Sequence, residues 1–310
     1  MKSSLIKPLL LTISLLLVHH LPLCGANANE ERVSETFTYD SGPQAPFYGE
    51  GTGWDQKSRG WAISSFKEDG ASRPLKEGDV IGNGSLEYQD ADGKKFPSQG
   101  NQLLNTSETR IRALRRFDVN LPIFDKLRID AIDGKQPRDE RGQDGLGKAK
   151  GTLWFSMLIQ PKDTSMAVTL TQDVYNMEPS GVSFVYSAKT GDLSCGQPWS
   201  DSKGVSPKIP LSNPEKPTWV VAKITFGDNW GEDDPSNPLY AAIKRDDRPE
   251  PTGKLLVWLN PKIGEEPDEA NADVNVALHE FRVNRIQSNI SKGAALDEIR
   301  LGTSFQQVNH

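Results

Sequence analysis

The stretch Ala295-Leu296-Asp297-Glu298-Ile299-Arg300-Leu301-Gly302-Thr303-Ser304-Phe305 decides the fold. Ile299, Leu301 and then Ser304-Phe305 follow a period of two, which is typical of a β-strand, and Gly302 closes it. A terminal segment patterned this well is expected to be held in a sheet rather than to fray. We therefore predict that it pairs near the first strand of the chain and closes a sheet.

Short β-patterns recur through the rest of the chain, separated by Pro, Gly, Asn and Asp clusters, and no amphipathic helix of ten or more residues is present. The segment 151–160 is apolar on both faces, which indicates a central strand. Many short strands at this spacing predict an all-β fold, a two-sheet antiparallel jelly-roll sandwich. The predicted strands are 37–39, 61–66, 86–88, 109–114, 151–160, 166–170, 182–187, 219–226, 255–259 and 274–286, the last with a bulge near His279.

The N-terminus has the pattern of a secretory signal. Lys2 and Lys7 precede an apolar run over 9–18, and Ala26-Asn27-Ala28 fits an A-x-A cleavage site. The alternative is a lipoprotein signal with Cys24 acylated, for which Leu23 is a poor neighbour because that position should be small.

The predicted organisation is a signal peptide over 1–28, a disordered segment over 29–36 and a single β-sandwich domain over 37–308. The product would be secreted, periplasmic or on the cell surface. No transmembrane segment is predicted, because no stretch approaches the roughly 18 to 20 apolar residues that a membrane-spanning helix needs.

The charge balance argues against nucleic acid as a partner. The chain carries a net charge of −6, and without Lys2 and Lys7 there are 34 basic residues against 42 acidic ones, a net charge of −8. The basic run Arg110, Arg112, Arg115, Arg116 is interpreted as one face of a strand rather than as a binding patch.

One cysteine, Cys195, remains after the predicted cleavage, so no intramolecular disulfide can form and stability must come from a large core. The sequence pairs Cys195 with no histidine that could activate it, so nothing indicates a catalytic thiol. We interpret Cys195 as a small semi-buried residue.

Five ordered motifs resemble a known family. They are Phe37-Thr38-Tyr39-Asp40, Gly51-Thr52-Gly53-Trp54, Gly151-Thr152-Leu153-Trp154-Phe155-Ser156, Leu255-Leu256-Val257-Trp258-Leu259-Asn260-Pro261 and Asp297-Glu298-Ile299-Arg300-Leu301-Gly302. Together they resemble the secreted concanavalin A-like lectin/glucanase (laminin-G-like) jelly rolls of environmental bacteria. The resemblance implies two curved antiparallel sheets and a concave face that binds sugar in many relatives. It implies no activity, since the fold hosts lectins, hydrolases, lyases and structural modules.

No catalytic residue is predicted. Glycoside hydrolysis needs two carboxylates about 5 to 10 Å apart. The glucanases of this superfamily carry Glu-x-Asp-x-Glu on one strand, and this chain lacks that motif. The nearest candidate, 265–269, reads as a solvated acidic loop, and His279 is a lone histidine outside any His-Glu-x-x-His motif.

Calcium is the one cofactor that the resemblance implies. In similar jelly rolls a calcium ion can join the first strand to the last through an Asp at the position of Asp297, and Asp40 would lie near it. The alternative is that Asp297 hydrogen-bonds a turn. The Asp90-x-Asp92-Gly93 sequence is interpreted as a turn without metal.

Aromatic residues supply the candidate sugar contacts. Trp154, Trp219 and Trp258 fall within apolar strands and are predicted to be core. Tryptophans in Gly- and Asp-rich loops either plug the end of the sandwich or stack on a pyranose ring. The predicted ligand-binding residues are Trp54, Trp199, Asp228, Asn229 and Trp230.

The leading functional hypothesis is an exported, non-enzymatic carbohydrate-binding or surface-interaction protein whose partner is a polysaccharide or glycan. The alternatives are a polysaccharide-active hydrolase or lyase with a non-standard active site, and a structural envelope protein without a small ligand.

Overall fold

The computed structural model describes residues 32–37, 51–55, 61–66, 72–73, 80–131, 144–172, 181–197, 206–228 and 250–309. This part of the chain forms an all-β jelly-roll sandwich of two antiparallel eight-stranded sheets, with a separate two-stranded sheet. No helix within these ranges is long and apolar enough to cross a membrane.

The first sheet has the order β16-β15-β14-β9-β18-β5-β4, and β1 also pairs with β18. Its strands are β1 (Val33–Glu35), β4 (Ile81–Gly82), β5 (Gln102–Leu104), β9 (Thr152–Gln160), β14 (Thr218–Thr225), β15 (Gly253–Leu259), β16 (Val274–Leu278) and β18 (Ala295–Gly302).

The second sheet has the order β13-β12-β11-β10-β17-β6-β2-β3. Its strands are β2 (Ala62–Phe66), β3 (Ser72–Arg73), β6 (Arg110–Arg116), β10 (Met166–Thr171), β11 (Gly181–Ser187), β12 (Asp192–Gly196), β13 (Lys208–Pro210) and β17 (Arg285–Ile290). The two-stranded sheet pairs β7 (Arg128–Ile129) with β8 (Gly145–Leu146), and short 3-10 helices lie at Pro122–Phe124 and Glu269–Asn271.

The predicted closure by the C-terminal strand is confirmed. Val33 lies opposite Leu301 and Glu35 opposite Ile299, so β1 and β18 are antiparallel neighbours. β9 is central, as predicted, because β14 and β18 flank it.

The main core lies between the two sheets. The ring of Phe155 on β9 contacts that of Phe184 on β11, with centroids 5.5 Å apart. β9 is apolar on both faces for a physical reason: Leu153 and Phe155 enter this core, whereas Trp154 and Leu158 enter a second hydrophobic cluster on the opposite face.

Four predicted segments differ from the structure. Residues 33–35 form β1 rather than a disordered segment, and β1 precedes the predicted first strand at 37–39. The predicted strand 86–88 forms none. The segment 274–286 was predicted as one bulged strand, yet it includes β16 in the first sheet and the start of β17 in the second.

The fourth difference is at the C-terminus. Phe305 begins a short helix, α1 (Phe305–Asn309), instead of extending the terminal strand. Ser304 and Gln307 have the Ser-x-x-Gln spacing of a capping box, and the Gln307 Oε1 accepts the Ser304 N–H at 3.0 Å. This local bond favours a helical turn over continued extension.

Candidate functional site

The outer face of the first sheet is covered by the chain itself. Trp154, Trp219 and Trp258 are buried there, which confirms their predicted core role. The Trp154 and Trp258 rings stack at 5.8 Å, and Phe305 of α1 contacts Trp154 edge-on at 5.5 Å. The Phe96 ring packs against the Trp219 ring, with centroids 5.1 Å apart. These covered strands offer no open surface at the three tryptophans.

The outer face of the second sheet carries polar side chains instead. Along β6, Ile111 and Ala113 enter the core, and Arg110, Arg112 and Arg116 project from the other face because strand side chains alternate. The interpretation of the arginine run as one face of a strand is confirmed for these three residues. Arg115 is the exception, since it points inward.

Strand register extends this face across six strands. We define the outer row as Arg112, Asn289, Ala167, Val185, Ser194 and Lys208, each of which lies opposite the next on the neighbouring strand. At about 4.8 Å between neighbouring strands, the row spans about 24 Å. It is accessible: Lys208 is exposed, and Val185, at 41% exposure, is the one large hydrophobic residue exposed among the described residues.

Arg112 is held in place at one end of the outer row. Its Nη2 donates to the Oε1 of Gln287 at 2.7 Å, from the next strand. Burial lowers the pKa of the half-buried Arg112 guanidinium. Small side chains occupy the middle strands, where the Thr169 and Ser183 hydroxyls lie 3.0 Å apart.

The edge of the second sheet where β10 and β12 end and β17 begins is more enclosed. Four buried polar residues lie just beyond these strand ends: Gln172, Gln197, Arg282 and Asn284. The Gln197 side chain clamps the backbone of His279, donating to its carbonyl at 2.9 Å and accepting its N–H at 2.8 Å. His279 thus lies in the crossing between the sheets rather than in a strand.

A buried ionic cluster ties the two sheets together near Trp54. Glu35 of β1 forms an ion pair with Arg115 of β6, and both side chains are almost fully buried. Glu35 also accepts the Phe37 N–H at 2.8 Å and the Trp61 Nε1–H at 2.9 Å. The Arg115 guanidinium lies 4.4 Å from the centre of the Trp54 ring. This cluster is structural, because it is closed to solvent.

The predicted ligand-binding residues are only partly within the described chain. Trp54 is 6% exposed, belongs to the main core and donates its Nε1–H to the Ser34 carbonyl at 2.9 Å. Asp228 is exposed just beyond β14, and no contact joins it to Trp54 among the described residues. Trp199, Asn229 and Trp230 lie outside the described residues, so their role stays a prediction.

The predicted metal residue Asp297 is buried in β18. Its Oδ2 accepts the Leu86 N–H at 2.7 Å and its Oδ1 accepts the Glu298 N–H at 2.8 Å, which is the turn-bonding alternative. Burial is the main cause that raises the pKa of Asp297 to about 8, and the neighbouring Glu298 adds to it. Asp40 lies outside the described residues. Within the described ranges no three histidine, cysteine or carboxylate side chains are grouped to hold a metal ion, and calcium stays a prediction.

Sequence reasoning missed Gln287, Asn289 and Lys208 as members of this surface. A partial signal was present in Arg285-Ile286-Gln287-Ser288-Asn289-Ile290, where every second position is a large polar residue and the positions between are Ile, Ser and Ile. Only the sheet order shows that these polar side chains lie beside Arg112.

Comparisons with known proteins place the chain in no family. No family model matches it, and no curated protein shows significant similarity to it.

Proposed function

We propose that this chain is an exported, non-enzymatic protein that binds polysaccharide through the outer row of its second sheet. The observation that supports this most is the outer row itself. It places a guanidinium and an amide on two adjacent strands at one end and a hydroxyl and an ammonium group on two adjacent strands at the other, with Ala167 and Val185 between them. Sugars present hydroxyl groups that such donors and acceptors can bind.

The architecture favours this face over the other. The first sheet covers its outer tryptophans with α1 and Phe96, whereas the outer row is accessible. A long, accessible sheet face suits a polymer better than an enclosed small molecule. The resemblance to concanavalin A-like jelly rolls, in which a sheet face binds sugar, agrees with this choice.

The non-enzymatic part of the proposal rests on carboxylate chemistry. A glycosidase places two carboxyl groups on either side of the scissile bond. Among the outward-facing residues of β6, β10–β13 and β17, Asp192 is the only carboxyl group. Export rests on the N-terminal signal pattern, which lies outside the described residues.

Affinity electrophoresis against a panel of neutral and acidic polysaccharides, with reducing-sugar release measured in parallel, tests the proposal. Asn289→Ala removes an amide from the outer row and is expected to weaken binding of any glycan that the wild type retains. Asn275→Ala, at an exposed position on the edge strand β16 of the first sheet, is the matched control and should bind normally.

Three results would contradict the proposal: the wild type retains no polysaccharide, Asn289→Ala binds as tightly as Asn275→Ala, or the purified protein releases reducing ends.

A further inference from the structure

We propose that the polysaccharide bound by the outer row is anionic and carries carboxylate or sulfate groups. This inference rests on the proposed function and specifies its ligand class. The outer row begins at Arg112 and ends at Lys208, with Arg110 exposed one pleat away from Arg112 on β6. These three cations share the face with one strand carboxylate, Asp192, although the whole chain has a net charge of −6.

The partner of Arg112 differs in charge from the partners of three other arginines in the described chain. Arg115 is paired with Glu35, Arg300 with Glu298, and Arg128 with two aspartates. Arg112 instead donates to the neutral amide of Gln287, so that contact orients the guanidinium, and no carboxylate among the described residues forms an ion pair with it.

The remaining donors of Arg112 suit an anionic group. Its Nε is buried, and the contact with Gln287 uses Nη2, so the contacts to a ligand would come from the terminal nitrogens. A guanidinium that is already oriented loses little freedom when its planar fork binds a carboxylate or sulfate through two hydrogen bonds. Partial burial of the side chain lowers the local dielectric and strengthens such a contact.

The spacing of the cations favours a polymer over a single anion. Arg112 and Lys208 lie about 24 Å apart across five strand intervals, too far for one small ligand to reach both. Exposed charge pairs are individually weak, so a ligand needs several charges along one polysaccharide to bind with useful affinity.

Dextran sulfate and unmodified dextran form a matched pair of probes, because they share a backbone and differ in charge. Polygalacturonate serves as the carboxylate arm, and anionic phospholipid vesicles test a different class of surface. We expect at least one polyanion to bind about tenfold or more tightly than dextran. Raising NaCl from roughly 50 to 500 mM should weaken that binding, because salt screens exposed charges.

Arg112→Gln is expected to reduce affinity for the preferred polyanion about tenfold, as for loss of a charge-assisted contact. Arg128→Gln removes the same charge from β7, outside the second sheet, and should leave binding unchanged. Circular dichroism and thermal unfolding verify that both variants fold.

Each outcome has a defined meaning. Tight, salt-insensitive binding of dextran would show that the ligand is not an anionic polysaccharide, but the proposed function would stand. Preference for the vesicles would also overturn the proposal of an anionic polysaccharide. Equal losses in Arg112→Gln and Arg128→Gln would show diffuse charge attraction and contradict the specific role of Arg112. Binding to none of the polysaccharides would refute both proposals.

Discussion

The buried pair of Glu35 and Arg115 gives the sharpest test of how the two sheets are joined. Arg115→Met removes this ion pair from the buried Glu35 carboxylate, which still accepts the Phe37 N–H and the Trp61 Nε1–H. Removing one partner of a buried ion pair costs about 3–5 kcal/mol, because the buried charge that remains loses its stabilising contact. Glu35→Gln should cost a similar amount, since it leaves the Arg115 guanidinium in the same position. Either loss is a large share of the about 5–15 kcal/mol that stabilises a typical domain.

The double variant Glu35→Gln/Arg115→Met should be more stable than the sum of its parts predicts. Neither charge remains, and the main residual cost is one buried N–H that loses its acceptor, about 1–3 kcal/mol. The coupling energy should therefore be at least about 3 kcal/mol in a double-mutant cycle measured by urea denaturation. If one single variant does not fold, a double variant that does fold still demonstrates the coupling.

Lys292→Met provides the control, because Lys292 pairs with Glu108 at the surface, where both side chains are mostly exposed. Its cost should be within about 1 kcal/mol. Additive effects in the cycle, or a cost for Arg115→Met no larger than that for Lys292→Met, would refute the reasoning.

Three further outcomes are expected. In a Cys24→Ser background Cys195 is the only thiol, and burial raises the pKa of that thiol. A thiol reagent should therefore label Cys195 only after denaturation, and rapid labelling of the folded protein would be inconsistent with the structure. Burial raises the pKa of Asp297 to about 8, so the folded state holds a proton that the unfolded state releases from about pH 4. The free energy of unfolding should therefore fall as pH rises from 4 to 8, and Asp297→Asn should flatten that slope. An unchanged slope in Asp297→Asn would exclude Asp297 as its source. Gly181→Ala should lower the free energy of unfolding by about 3 kcal/mol or more, because φ is +152° and a Cβ would lie 1.9 Å from the Leu170 carbonyl oxygen. Gly191→Ala, with φ of +72° and no atom within 4 Å, should lower it by only about 1–2 kcal/mol of backbone strain. Equal chemical-denaturation midpoints for the two variants would contradict this difference.

The elements that could be predicted from sequence are those whose apolar residues alone reveal them. Leu296, Ile299 and Leu301 identified the closing strand, and the continuous apolar run of β9 identified a central one. Polar residues inside the fold gave no such signal. Val33–Glu35 looks like a polar tail because the pairing of Glu35 with a buried arginine 80 positions away cannot be read from either segment.

The same limit applies at the C-terminal end. The burial of Glu298 beside Asp297 depends on a bulge at Glu298, with φ of +50°, which turns both carboxylates toward backbone N–H groups of another loop and leaves no periodic signal in the sequence. Alternation across 274–286 continues while the chain passes from one sheet to the other, so periodicity could not reveal the crossing.

The candidate site was predictable only in part. The projection of Arg112 from one face of β6 follows from strand alternation within a single segment. The outer row does not, because its six members come from six strands between β6 and β17. Side chains contributed singly by distant strands leave no local motif to detect.

The position of β18 has a consequence for biosynthesis. Ala295 lies opposite Gln160 and Leu301 opposite Val33, so a nascent polypeptide lacking 295–302 has both flanking segments but not the one that joins them. Such non-local assembly is slow, and completion must wait until translation has passed residue 302. Ribosomes stalled before residue 295 should therefore carry protease-sensitive polypeptide.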